Sequence, residues 1–312
     1  MPFTAQLKRS TRVAGSLFAL LVLMTLFRFA PARASARQDE EVVRVNSDLV
    51  VLNVTVTNKR GEYVHGLRRS DFKVLEDGRE QNISLFQVEE TPFAAALLLD
   101  TSGSMEGRLS LARAAAVNFL DGMRSEDVAA IYHFDTQVEQ VQDFSPDHDL
   151  PDLAYGFRAS GLTVLNDAIR RAAHDLAARQ EKRRAIIVLS DGEDTHSSAT
   201  IDKALASATA ASATIYSIDM SDRKGVSVDT MAGSAVLRNF AHKSGGRYIP
   251  TPGGQALRDA FTGIVEELSN QYTIGYVPTN RARDGRWRTI EVKLAQPDTT
   301  ARTRRGYRAP KS

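Results

Sequence analysis

Six consecutive apolar residues, Ala94 to Leu99, run into a carboxylate at Asp100. A strand with one solvated face alternates apolar and polar side chains. An unbroken apolar run of strand length therefore predicts burial on both faces, as in a parallel sheet covered by helices on either side. The same signature returns at Ala185–Leu189, which ends in Ser190, Asp191 and Gly192. Strand and helix patterns alternate around these two runs. Helical spacing of apolar residues is expected over 108–123, 164–179, 201–211, 237–243 and 255–269, and strands over 128–134, 138–144, 214–218 and 247–249. The fold class implied is α/β, with a doubly wound, mostly parallel sheet over about 92–269.

Topology gives the two carboxylates a reason to meet. In a doubly wound sheet a ligand sits beyond the carboxyl ends of the strands, where the winding reverses. Asp100 closes the first strand of this region, and Asp191 closes the strand expected on its other flank after the 128–144 hairpin and a helical crossover. Two anions held together repel, and a cation relieves the conflict. After Asp100 come Ser102 and Ser104 at alternate positions, and the helix over 164–179 opens with Thr163. Hydroxyl and carboxylate oxygens suit a hard cation such as magnesium, which keeps several waters and leaves positions for a ligand. Ser102 and Ser104 are also ordinary helix-capping residues, and Asp191-Gly192 alone is an ordinary turn.

The three stretches Asp100-Thr101-Ser102-Gly103-Ser104, Gly161-Leu162-Thr163 and Ser190-Asp191-Gly192 resemble the metal-ion-dependent adhesion site of von Willebrand factor type A domains. That pattern is Asp-x-Ser-x-Ser, then a Thr, then an Asp usually followed by Gly. The resemblance implies metal ligation by Asp100, Ser102, Ser104, Thr163 and Asp191. It also implies a Mg2+ ion (or Mn2+ or Ca2+), and a protein partner whose Asp or Glu completes the coordination. Leu162 stands where many members carry Gly. Asp100 at the end of a buried strand is also similar to the nucleophile of haloacid dehalogenase-like phosphatases, but their second Asp is replaced here by Ser102. No catalytic Ser elbow, zinc-spaced His set or phosphate loop occurs, so no enzyme is expected. His196 could reach the rim of the site and Asp135 could line the same edge. Each is otherwise an ordinary loop or turn residue.

The flanks read differently. Short alternating runs over 42–91, including 72–76 and 81–86 around Asp77-Gly78, predict strands with a hairpin. Strands return at 272–277 and 287–294, before Gly306-Tyr307. Together 42–91 and 270–312 are expected to form a β-sandwich-like domain that flanks the α/β region as two halves of a split unit, since close termini make insertions easy. This layout resembles bacterial secreted proteins carrying a von Willebrand-type domain.

Residues 1–36 read as a signal peptide. Lys8, Arg9 and Arg12 precede a weakly polar to apolar run from Val13 to Phe27, and Ala34-Ser35-Ala36 offers a cleavage site. An uncleaved anchor reaching Ala30 is the alternative. Either way a secreted, periplasmic or envelope location is expected. The chain has no cysteine, which excludes disulfides and thiolate metal sites. The net charge of +2 gives no field for nucleic acid. Ten Arg and Lys residues against three acids over 281–312 read as a solvated strand face or a surface for an acidic partner. The function expected is metal-dependent protein binding, in adhesion or scaffolding. The alternatives are a structural assembly protein with a vestigial metal site and, behind it, a magnesium-dependent phosphatase-like hydrolase.

Overall fold

The strand β5 (Phe93–Asp100) is buried along its whole length, and its side chains divide strictly by parity. Phe93, Ala95, Leu97 and Leu99 enter one apolar core, and Ala94, Ala96 and Leu98 enter another. Successive strand residues point to opposite faces, so a strand apolar at every position must be covered on both sides. The computed structural model describes residues 49–88, 91–221, 228–251 and 253–311. The expected leader over 1–36 lies outside the described residues. Among those described, no helix is long and apolar enough to cross a membrane.

Four strands precede β5: β1 (Val50–Asn58), β2 (Phe72–Glu76), β3 (Arg79–Gln81) and β4 (Ile83–Gln87). The α/β part continues with α1 (Leu109–Asp121), β6 (Val128–Phe134), β7 (Val138–Ser145), a single turn α2 (Asp152–Tyr155), α3 (Leu165–Ala177) and β8 (Arg183–Ser190). It closes with α4 (Ile201–Ala210), β9 (Ala213–Asp219), α5 (Val228–Ser244), β10 (Tyr248–Pro250) and α6 (Gly254–Ser269). Its six strands run in the order β10-β9-β8-β5-β6-β7, and all pairs are parallel except β6 with β7. Helices α1 and α6 cover one face, while α3, α4 and α5 cover the other. The doubly wound arrangement is the one the sequence implies, with β5 between β6 and β8 where the winding reverses.

Of the remaining strands, β11 (Gln271–Tyr276), β12 (Trp287–Leu294) and β13 (Thr299–Arg302) pair antiparallel with those at the start of the chain, and β14 (Gly306–Arg308) pairs antiparallel with β12. One sheet has the order β13-β1-β11-β4 and the other β14-β12-β2-β3, so each mixes both ends of the chain. They share one core of Leu52, Val54, Phe72, Val74, Tyr272 and Ile290. The run 81–86, expected as one strand of the Asp77-Gly78 hairpin, is divided. Arg79–Gln81 pairs with β2, and after the exposed Asn82 the chain crosses to β11 in the other sheet. A sandwich needs strands that change sheets, and the period-2 pattern alone does not show where.

Polar groups tie the sandwich to the α/β part. Glu267 on α6 is buried and accepts hydrogen bonds from Thr55 Oγ1 of β1 at 3.2 Å and the Tyr216 hydroxyl of β9 at 2.7 Å. It also pairs with Arg302 of β13. The basic C-terminal strands are thus not wholly a solvated face, because Arg288 and Arg304 are buried and Arg302 carries this ion pair.

Candidate metal centre

Register brings the two carboxylates together. Leu99 of β5 lies opposite Leu189 of β8 in a parallel pair, so Asp100 is level with Ser190 and Asp191 follows one residue later. Asp100 is fully buried. Its Oδ1 accepts hydrogen bonds from the Ser102 backbone N–H at 2.9 Å and from Ser102 Oγ at 2.5 Å. Its Oδ2 accepts from Ser190 Oγ at 2.5 Å. Ser102 Oγ lies 3.1 Å from Ser104 Oγ, on a 3-10 turn over Gly103–Met105 that leaves Ser104 exposed.

The loop carrying Thr163 is fastened to this turn through the backbone. The Ser160 N–H donates to Thr101 O at 3.0 Å, and the Gly103 N–H donates to Gly161 O at 3.3 Å. Gly161 sits at φ +76°, and a Cβ there would meet Thr136 Oγ1 at 2.5 Å. A left-handed glycine at 161 therefore shapes the loop, and the exposed Leu162 next to it is tolerated. Thr163 is buried, with its carbonyl accepting from the Thr195 and His196 N–H groups at 3.0 Å each. His196 thus reaches the loop through its backbone. Asp135 takes the Gln137 N–H at 3.1 Å and serves a turn, as its ordinary reading expects.

Burial pushes the Asp100 carboxyl up to about 7, against the hydrogen bonds from Ser102 and Ser190, and repulsion from Asp191 adds to the rise. A hydroxyl or amide neutralises no charge, so this carboxylate is held in a dry site short of positive charge. The neighbouring strand end offers a contrast. Burial also raises Asp219, but hydrogen bonds from Ser234, Tyr248 and Ser221 outweigh it and leave that carboxyl below its ordinary value. Asp191 has Arg108 at 3.8 Å from its Oδ2. The donor set fits a hard cation: two carboxylates and three hydroxyls, gathered from three loops beyond the carboxyl ends of β5 and β8. Among the described residues no group of three His, Cys, Asp or Glu side chains could hold a metal, so hydroxyl oxygens would have to contribute.

Ser190 is the residue the sequence reading passed over. Its hydroxyl donates to Asp100 and accepts from the Gly192 N–H at 2.9 Å, linking the two strand ends. Its signal was its place, directly before Asp191 at a strand end. Gly192 lies at φ +84°, and a Cβ there would meet Gly233 O on α5 at 2.2 Å. Gly192→Ala is expected to destabilise the chain by ~2–4 kcal/mol through strain and a backbone clash, read from the midpoint of urea unfolding. A loss under ~1 kcal/mol would mean that α5 moves aside freely.

The family model described as the von Willebrand factor type A domain matches residues 95–193. No curated protein matches the chain. Among solved structures, a von Willebrand factor type A protein from Catenulispora acidiphila is 13% identical, with 86% of this chain and 75% of that one covered and a TM-score of 0.47. The conserved hypothetical protein BatB from Bacteroides thetaiotaomicron is 17% identical over 57% of this chain and 98% of that one, at a TM-score of 0.46. The PilB minor pilin from Streptococcus sanguinis is 16% identical over 58% and 62%, at 0.45. The matched segment runs from β5 to the loop after β8 and holds Asp100, Ser102, Ser104, Thr163 and Asp191, so over residues 95–193 the chain carries the von Willebrand factor type A domain.

Proposed function

We propose that the chain is a metal-dependent protein-binding module, secreted or held at the cell envelope, which serves adhesion or scaffolding. Asp100, Ser102, Ser104, Thr163 and Asp191 hold a Mg2+ ion, or Mn2+ or Ca2+ in its place, directly or through water. A partner's Asp or Glu then completes the coordination. The observation that carries this reading is Asp100, a buried carboxylate whose contacts are two hydroxyls and a backbone amide. When bound, the ion supplies the positive charge that the contacts of Asp100 lack and an electrophilic point for a partner carboxylate. The chain's own part is to fix the oxygens and keep water off one side. The exposed Leu162, next to Thr163, offers an apolar contact at the rim. The signal-like segment over 1–36 is what supports export.

One observation favours a second reading. Arg108 lies close enough to Asp191 to serve as an internal cation, as a structural protein with a vestigial site would need. Calorimetric titration with MgCl2, MnCl2 and CaCl2 separates the two. Saturable binding that Asp100→Ala and Asp191→Ala both lose, and that Arg108→Gln strengthens, is the expected result. Absence of binding in both the wild type and Arg108→Gln would overturn the metal-dependent reading.

A further inference from the structure

An open pocket of about 640 Å³ lies away from the candidate metal centre, between α4 and the C-terminal strands β12 and β14. It extends along α4 to Ser212, just before the amino end of β9. The metal-centre residues instead follow the carboxyl ends of β5 and β8. Leu49, Leu205 and Trp287 give the pocket an apolar wall, and Lys243, Arg304 and Arg308 give it three cations against the single carboxylate of Asp202.

Two of these side chains are set in place by their surroundings. The Trp287 ring packs over Gly306, where a Cβ would meet its ring atoms at 2.6 Å, yet 47% of the residue remains exposed. An indole backed by a glycine with nearly half of the residue exposed is a surface for a flat or aliphatic body. Arg304 is 8% exposed. It donates from Nη1 to Thr209 O at 2.9 Å and lies 5.8 Å from the centre of the Tyr307 ring. Its Nε has no hydrogen-bond partner among the described residues. Burial pushes this guanidinium down to about 10, opposed by Tyr276 and Tyr307. A buried guanidinium on the wall of a cavity, with no carboxylate among its described partners, is short of an anion.

We propose that this pocket binds a small amphipathic anion, an acidic headgroup on an aromatic or aliphatic body. Trp287 and Leu205 lie against the body, and Arg304, Lys243 and Arg308 surround the head. A pocket of this volume suits a single small-molecule ligand rather than a docked domain. The headgroup chemistry is that of a carboxylate, sulfonate or phosphate, each of which accepts from a guanidinium.

Trp287 is the only tryptophan of the sequence, so its fluorescence reports this pocket directly. Titration of the purified chain with 8-anilinonaphthalene-1-sulfonate is expected to quench that emission with a stoichiometry of one. The uncharged N-phenyl-1-naphthylamine is expected to bind at least tenfold more weakly. The double variant Lys243→Gln, Arg308→Gln alters exposed side chains and should fold; it is expected to bind the sulfonate about fivefold more weakly. Displacement of the dye by decanoate or by decyl phosphate, with decanol ineffective, would identify the head and support the site. Equal affinity for the charged and uncharged dyes, unchanged binding by the double variant, or dye binding without a change in Trp287 emission would overturn it.

Discussion

Arg183→Met is expected to destabilise this chain by ~2–6 kcal/mol. Arg183 opens β8 and is fully buried. Its Nη1 donates to Thr91 O and Leu268 O, each at 2.9 Å. Its Nη2 donates to Val88 O at 3.1 Å and to Gln271 O at 2.6 Å. Val88 and Thr91 lie where the chain passes from β4 into β5, and Leu268 and Gln271 where it passes from α6 into β11. One planar guanidinium therefore satisfies four carbonyls on the two passages between the sandwich and the α/β part. Met fills a similar volume but donates nothing. Val88 O keeps the Thr91 hydroxyl and Thr91 O keeps Arg124 Nη2, so the loss falls on the Leu268 and Gln271 carbonyls, at ~1–3 kcal/mol for each buried carbonyl left without its partner. The expected fall in Tm is ~4–12 °C for a chain of this size. Arg183→Lys keeps the charge but not the fork of donors, and should fall between the two. Calorimetric melting of the three proteins decides it. A loss under ~1 kcal/mol for Arg183→Met would show that water replaces the guanidinium.

Arg183 also marks a limit of sequence reading. Glu181-Lys182-Arg183-Arg184 looks like a charged turn leading into a strand, and nothing local distinguishes the residue that turns inward. Where one element decides its own environment, its own residues suffice to show it. β5 is apolar at every position, so two covered faces and a parallel sheet follow, and a carboxylate at its end falls at the switch point. The expected helix over 237–243 is only the end of α5, which starts at Val228; its earlier turns carry Gly233 and leave Val228 and Met231 exposed, so they lack the buried stripe that marks its end. β13 escaped notice for a related reason. Thr299-Thr300-Ala301-Arg302 has one weakly apolar residue, and becomes a strand because the far end of β1 offers an unpaired edge. Arg304, read as part of a basic surface, is buried by the return of the chain against Gly245. These features depend on partners distant in sequence. The oxygens around Asp100 were legible because they are clustered at strand ends, whereas Ser190 drew no attention because a serine beside an aspartate is common.

Asp100 supplies the prediction with the largest effect on function. In the metal-free fold burial holds its carboxyl at about 7, above its ordinary 3.8. Protonation therefore favours the folded chain. That stabilisation is fully present below pH 3.8 and is lost as the pH rises through 7, where the charged form must be kept in a dry site. A divalent cation acts in the opposite sense, because it binds the ionised carboxylate and competes with the proton. Its affinity is expected to fall by up to about tenfold per pH unit below 7, or about 100-fold at pH 5. At 10 mM MgCl2 the gain in Tm should be large at pH 8 and nearly absent at pH 5. Asp100→Asn removes the charge while keeping the shape and one acceptor. Without magnesium it should melt above the wild type at pH 8, by ~2 kcal/mol or ~5 °C, and with magnesium it should gain nothing at any pH. Thermal melting of both proteins at pH 5, 6, 7 and 8, with and without the salt, measures all of this. An equal magnesium gain at pH 5 and pH 8 would place the cation elsewhere on the chain. A variant less stable than the wild type at pH 8 in metal-free buffer would show that the three hydrogen bonds to Asp100 outweigh the burial of its charge.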